Sequence, residues 1–568
     1  MALSLSPAAR GKLSNLLVCF SLGNLCFLRR WYDLEHLKER SMDYYRSHPA
    51  APTLLMATLI GAFVLTGVFW TAWAWVERRP TPAKVKLAAC VFLLCLIYPL
   101  ESVRRYWNEQ ATKVDLVSNI VLLGLEAALA VGVALALTGN YRVAVAARRV
   151  ALVLTLLFPS LILDFTWSSL SAARAADFEP RRPLPMLPVH AGRRVIWLLF
   201  DEFDQRLAFD LRKPAGDLPE LERLRGASFV ANRARQTAEW TTLAVPSLLS
   251  GTSLSSDQLV DANTLLVYPG HSSQGVNWRD QPNVFKRVRD LGLNGALVGW
   301  HHPYCRIIGG DTVRCMDLTS GTPTPALIRE TSATDLGLCK TVVDLFFLQA
   351  ASVRDIFEIT STPRSEILKD EFVQRRQQGQ YFQLRDAAFA DAADPQISFL
   401  FIHLPTPHLF GIYNRRRGDF TLDRSLSYAD NLALVDRTVG ELRVVLERAG
   451  LWDSTTLLIT SDHGLRPNLW RGHMGWTPEL EELTGGVQSP LVPFIAKLAG
   501  QDAGMVYDKP FSNALCADFV LAELSGKIST AADAAAWLDQ HSPDQPLYDS
   551  PADHVTAARH GTANMTVR

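Results

Sequence analysis

Two regimes of hydrophobic patterning divide the chain. Up to about residue 170 the apolar positions come in long runs, and beyond about residue 190 they come in short ones separated by turns and amphipathic stretches. Four long runs, Pro52 to Val76, Val85 to Leu100, Leu116 to Leu137 and Val150 to Leu163, approach the roughly 20 apolar residues that cross a bilayer. The first and third reach that length; the second and fourth are short and need snorkelling flanks. Trp70, Trp73, Trp75, Tyr98, Trp107 and Trp167 fall near run ends, as interfacial aromatics do. Another run, Leu16 to Leu28, is interrupted by Ser21, Gly23 and Asn24 and lacks a small-residue cleavage site. It reads as a fifth span or an interfacial helix, and its length favours the interface. Residues 1–170 are therefore predicted to form a membrane domain of four to five transmembrane helices.

The stretch 171–189, with RRPLPMLP toward its end, reads as a Pro/Arg-rich tether without a core of its own. After it, Arg194 to Phe200, Gly295 to Trp300, Ile397 to Ile402, Thr455 to Thr460 and Val492 to Ala496 are short and largely apolar, as strands buried on both faces are. Pro219 to Ala227, Asn283 to Leu291, Ser427 to Ala449 and Asn513 to Leu524 read as helices between them. In the third, Leu432, Val435, Val439, Leu442 and Leu446 form one stripe. This alternation predicts an α/β domain over 190–530, a mostly parallel central sheet flanked by helices, and a tail over 531–568 that is part helix and part disorder. Four of the strands end on Asp201, on the WHH loop, on His403 and His408, and on Asp462-His463. Ligands of open α/β sheets sit beyond such carboxyl ends.

Composition narrows the function classes. A chain of 568 residues exceeds one compact core. The balance of 57 basic against 57 acidic side chains argues against a nucleic-acid binder living on backbone electrostatics. Of eight cysteines, Cys19, Cys26, Cys90 and Cys95 lie in apolar segments, and the absence of a CxxC pair argues against a zinc ribbon. A Cys305–Cys315 disulfide is one option in an oxidising compartment, and the sequence leaves the pairing open. The basic residues on the two sides of the predicted bundle are nearly balanced, tilting slightly toward a cytoplasmic C-terminal region.

Asp201, Asp462 and His463 supply two carboxylates and an imidazole, a mixed set suited to zinc or manganese, with calcium as a further option. In TAEWTTLAVPSLLSG, residues 237–251, a hydroxyl-rich turn runs into an apolar helix start. That puts a threonine where backbone N–H groups and the helix dipole favour an anion, plain N-capping being the commoner use. A threonine hydroxyl is a poor nucleophile at neutral pH, and a divalent cation lowers its pKa while polarising the oxygen under attack. His408 and His473 are candidates to hold the equatorial oxygens of a transferred group or to protonate the leaving oxygen.

These residues resemble the alkaline phosphatase superfamily, specifically its sulfatase-like branch, which includes lipoteichoic acid synthases and lipid A phosphoethanolamine transferases. The resemblance runs from about Arg193 to Leu524, most specifically in SYADNLALVDRTVGELRVVLERAGLWDSTTLLITSDHG. It implies metal ligation by Asp201, Asp462, His463 and a nucleophile, with Glu202 as an additional ligand. TTLAVPSLLSGT resembles the nucleophile segment of the membrane-bound transferases, which implies Thr241, with Thr242 as the fallback. IHLPTPH resembles a strand ending in a substrate-binding histidine, His408, with His403 as a second possible metal or substrate ligand; His473 resembles a histidine that follows the dyad, although its spacing from His463 departs from the usual pattern. The C/S-x-P-x-R box of sulfatases is missing at Thr241, which disfavours sulfate-ester hydrolysis. The expectation is a membrane-anchored metal-dependent phospho-group transferase, of phosphoethanolamine or phosphoglycerol type, acting on a lipid-linked or glycan substrate through a phospho-threonine. A hydrolase on the same site is the alternative, and a silent binding protein a third reading. By the same resemblance the protein sits in the inner membrane with its catalytic domain in the periplasm, against the feeble charge tilt.

Overall fold

The computed structural model describes residues 6–27, 30–31, 34, 40–46, 51–78, 80, 83, 86, 90–93, 116–138, 140–171, 175–188, 192–211, 218–270, 272–319, 338–340, 342–347, 350, 364–544 and 546–548. Contacts divide the chain into two units that interleave along it. One comprises Met1–Arg40, His48–Arg174 and Pro323–Lys369, and the other Ser41–Ser47, Ala175–Thr322 and Asp370–Arg568.

The first unit contains helices α1 (Pro7–Cys26), α2 (Ala51–Val76), α3 (Leu116–Leu137) and α4 (Tyr141–Ser171). Among the described residues, two stretches, Pro52–Val76 and Val145–Ser168, are long and apolar enough to cross a membrane. The short fourth run of the sequence is thus the middle of a longer helix, whereas the run from Val85 to Leu100 lies largely outside the described residues. The polar residues that interrupt the first run are what pack it. Ser21, fully buried, donates to the Ala151 carbonyl at 2.6 Å and lies 2.9 Å from Thr155 Oγ1. A Cβ on Gly23 would fall 2.7 Å from Thr66 Oγ1 and 2.8 Å from the Ala62 carbonyl, so only glycine lets α1 and α2 approach this closely.

The second unit is built on eight strands: β1 (Arg194–Asp201), β2 (Phe229–Ala231), β3 (Gly295–His301), β4 (Arg314–Thr319), β5 (Phe399–Pro407), β6 (Thr455–Ser461), β7 (Phe494–Lys497) and β8 (Met505–Tyr507). Their order is β8-β2-β7-β6-β1-β5-β3-β4. Only β7 runs against its neighbours, so the sheet is mostly parallel, as the βα alternation predicts. Helix α5 (Thr241–Ser250) covers one face, packing Val245 and Leu248 on Val195, Trp197 and Leu199. Helix α6 (Arg364–Ala392) and helix α7 (Tyr428–Arg448) cover the other, where Leu384, Leu432, Val435 and Val439 meet Ile196, Leu198 and Phe200. A Ser427/Asp430 capping box starts α7. The polar, Gln-rich α6 has no counterpart among the predicted helices.

The proline-rich stretch differs from a free tether. It lies along the second unit with Arg181 N–H bonded to the Cys305 carbonyl (2.9 Å) and Leu184 N–H to that of Thr312 (2.7 Å). Extended backbone without internal hydrogen bonds has donors to spare for such a surface. In the tail, Ala531–His541 is a helix opened by a Thr530/Asp533 box, and residues beyond Tyr548 lie outside the described set, as do residues 320–337.

Candidate metal centre

Why so many polar side chains meet at one edge follows from register. Strands β6, β1, β5 and β3 are adjacent, and β1 pairs Phe200 with Ser461, so Asp201 and Asp462 leave the sheet side by side. Side chains alternate faces along a strand. Trp197, Leu199 and Asp201 therefore share a face with Leu458 and Asp462, with Phe401 and His403, and with Leu297 and His301. This is the face that α5 covers, and Thr241 is the first residue of α5. Between β1 and β5 the register slips: Phe200 pairs with Leu404 but Asp201 with Pro407, so that His408 follows directly at the edge.

Thr241 Oγ1 lies 3.2 Å from His463 Nε2 and 3.4 Å from Asp201 Oδ2. His463 Nε2 is 3.3 Å from Asp462 Oδ2 and 3.9 Å from Asp201 Oδ1. The His463 ring donates Nδ1–H to the Gly464 carbonyl at 3.0 Å, which leaves the Nε2 lone pair for this cluster. Asp201 Oδ1, Asp462 Oδ2 and His403 Nε2 are buried without a hydrogen-bond partner among the described residues. Ligand atoms of Asp201, His403 and Asp462 all fall within 4.8 Å of one another. Orphaned buried acceptors of this kind cost several kcal/mol on the order of each ion taken from water, and a cation among them removes that cost. Burial first, then the charges of Asp462 and Glu202, push the Asp201 carboxyl well above its usual range. The donor set fits a divalent metal.

A ring of histidines and aromatics surrounds the cluster. Tyr304 Oη lies 2.8 Å from His403 Nδ1, fixing that ring from behind. His301 has φ 77°, a left-handed conformation that costs a non-glycine residue about 1–3 kcal/mol. Its buried Nε2 has no hydrogen-bond partner. Burial, then His302, His403 and His408, lower its pKa far below the ordinary histidine value. The WHH loop was visible as a strand tip, yet nothing in its spacing singled out His301. Thr242, the fallback nucleophile, has its hydroxyl 2.9 Å from Tyr45 Oη.

Glu202 is equally buried but differently partnered. Arg466 Nε donates to Oε1 at 2.7 Å, and Trp470 Nε1 lies 2.9 Å from both carboxylate oxygens. Burial raises its pKa, and Arg466, His408 and His463 more than offset that, so the carboxyl is held below its usual value. Arg466 also lies 4.6 Å from the Trp240 ring centroid. Sequence reading missed Arg466 and Trp470, although both follow closely on the Asp462-His463 dyad. His408 donates Nδ1–H to the Leu409 carbonyl and packs edge-on between Trp300 and Trp470. His473 is exposed, its ring 6.2 Å from that of Trp470, and it does not join the cluster.

A strand-tip cluster of carboxylates and histidines with a hydroxyl at a helix start has the parts for a cation beside an oxygen nucleophile. The family model for type I phosphodiesterase / nucleotide pyrophosphatase matches residues 195–483, a span that holds every residue of the cluster, and the chain belongs to that family, within the alkaline phosphatase superfamily. It is accordingly an enzyme, a hydrolase or transferase of that superfamily. Among solved structures it is similar to Ps i-CgsB, determined with k-i-k-neocarrahexaose (15% identity, 63% of this chain and 79% of that one, TM-score 0.37). It is similar also to the lipoteichoic acid synthase LtaP from Listeria monocytogenes (12%, 59% and 72%, 0.34) and to the PsFucS1 sulfatase from Pseudoalteromonas sp. (16%, 58% and 67%, 0.35). No curated protein matches the chain significantly.

Proposed function

We propose that the chain is a membrane-anchored phospho-group transferase in which Thr241 is the nucleophile. Asp201, Asp462, His463 and the Thr241 oxygen hold a divalent cation, zinc or manganese before calcium, with His403 as a further ligand. The observation that carries this reading is the Thr241 hydroxyl on the first residue of a helix, within 3.4 Å of both His463 and Asp201 and beside carboxylate oxygens that nothing else among the described residues satisfies. When bound, the cation supplies Lewis acidity, lowering the hydroxyl pKa and drawing charge from the phosphoryl oxygens.

The chain's own residues do the rest. Thr241 and Thr242 N–H, ahead of the Leu243 and Ala244 N–H groups that bond the Trp240 carbonyl, are the first-turn donors of α5 suited to the developing negative charge. The Thr241 oxygen forms a bond to phosphorus as the bond to the leaving alcohol breaks; Thr241 gives up one proton and the leaving alcohol gains one. His301 and His408, kept neutral by burial, are suited to carry it, and to take the proton of the acceptor hydroxyl when the phospho-threonine is discharged. Apolar helices in the first unit support a lipid-linked donor, with a sugar or glycan hydroxyl as acceptor.

An extracytoplasmic catalytic unit in the plasma membrane is supported by the Cys305–Cys315 disulfide.

The family match favours a second reading on the same site, a phosphodiesterase in which water discharges the threonine. Incubation with bis(4-nitrophenyl) phosphate, acid quench and peptide mass spectrometry tests the shared step. A phosphoryl adduct on Thr241 is expected, and normal turnover by Thr241→Ala would refute it. Faster adduct decay on adding a sugar alcohol marks a transferase, and unchanged decay a hydrolase.

A further inference from the structure

The segment Ser41–Ser47 belongs to the second unit although the residues before and after it belong to the first. Within the second unit Tyr44 is fully buried in the core that also holds Trp197, Leu199, Val245, Trp278 and Tyr304. Its backbone carbonyl accepts from Arg306 Nη2 at 2.6 Å. Its Oη lies 2.9 Å from His302 Nδ1, and His302 Nε2 lies 3.0 Å from the backbone carbonyl of Thr241. A carbonyl only accepts, so Nε2 carries the ring proton and Nδ1 accepts from the tyrosine hydroxyl. Tyr45, next along, reaches the hydroxyl of Thr242 and packs edge-on at 5.1 Å from the His301 ring.

The start of α5 needs such anchors. Trp240 at its N-cap makes no side-chain cap hydrogen bond. Pro246 lies within the helix and has no N–H, so the Thr242 carbonyl lacks its intrahelical donor. Leu243 and Ala244 N–H close the first turn on the Trp240 carbonyl, but the cap side chain and the Thr242 carbonyl add nothing to it, and two groups from outside the helix bond residues 241 and 242.

We propose that Tyr44 and His302 are positioning residues for Thr241: the segment from between the first unit's helices reaches the nucleophile through His302 and fixes the turn that aims its hydroxyl. The catalytic unit is complete only with these seven N-terminal residues in place. This rests on Thr241 being the nucleophile.

The test uses the full-length, detergent-solubilised, metal-loaded protein with bis(4-nitrophenyl) phosphate, following adduct formation on Thr241 by quenched mass spectrometry alongside kcat, KM, metal content and melting temperature. Tyr44→Phe keeps the ring and removes one buried hydrogen bond; adduct formation and kcat are expected to fall about tenfold with KM and metal content unchanged. His302→Phe should fall at least as far. His302→Gln, whose amide N–H can donate to the same carbonyl, should recover most of the rate. Wild-type rates in both Tyr44→Phe and His302→Phe overturn the proposal, as does a loss that tracks metal content or melting temperature and is not rescued in His302→Gln. If the wild type turns over without an adduct on Thr241, the nucleophile assignment itself fails and the proposal falls with it.

Discussion

Two groups of buried acids stand within a few residues of each other and are treated in opposite ways. Glu202 is neutralised by the chain itself, through Arg466 and Trp470. Asp201 and Asp462 each keep one oxygen without a partner among the described residues, and burial lowers the pKa of the His463 and His403 imidazoles beside them. The paired acid needs nothing from outside the chain, whereas the two unpaired acids are the ones the proposed cation would satisfy. Equal burial therefore says little about role, and the partner decides it.

The largest effect expected from breaking this contrast is in His463→Ala. Loss of a ligand that also adjoins Thr241 should cost metal and roughly 10³-fold in kcat together, several kcal/mol of transition-state stabilisation. Turnover with elemental analysis checks it. Next comes Glu202→Gln, which leaves Arg466 buried without its counter-charge and should lower stability by about 3 kcal/mol in denaturant titration while metal stays bound. In the metal-free protein Asp201→Asn should do the reverse, raising the melting temperature, because it removes the cost of burying that carboxyl and, after it, the unfavourable charges of Asp462 and Glu202.

A smaller effect concerns pH. Burial pushes His302 down to about 3 from an ordinary 6.5. Between those values the unfolded chain binds more protons than the folded one, so His302's contribution to stability is full above 6.5 and is lost as pH falls toward 3. Chemical denaturation across that window should show a steeper loss for the wild type than for His302→Gln. Smallest of all, His473→Ala should change kcat/KM by less than about twofold, since its exposed ring touches only the Trp470 edge of the site.

The strand tips were legible because a fully buried parallel strand reads as an unbroken apolar run, and RVIWLLF and TTLLIT stop on Asp201 and Asp462-His463 without ambiguity. Thr241 was legible through the apolar helix it opens. The partners of these residues were not. Arg466 looks like any loop arginine until Glu202 is seen across from it, and Tyr44 lies some 200 positions from the carbonyl it serves through His302. Helix α6 hides because much of its buried side is polar: Gln374, Gln377 and Gln380 are buried and donate to the carbonyls of Gly411, Pro405 and Thr319, beside the apolar Tyr381, Leu384, Ala388 and Ala392. In the first unit the polar interruptions of the Leu16–Leu28 run suggested a weak segment, whereas Ser21 and Gly23 are the residues that let α1 pack.

X-ray absorption or anomalous diffraction at the metal edge of the purified full-length protein tests the strand-tip cluster most directly. One divalent ion bonded by Asp201, Asp462 and His463 at about 2.0–2.2 Å, and absent from His463→Ala, is the expected result. A fully active enzyme whose metal lies elsewhere, or which holds none, would contradict it.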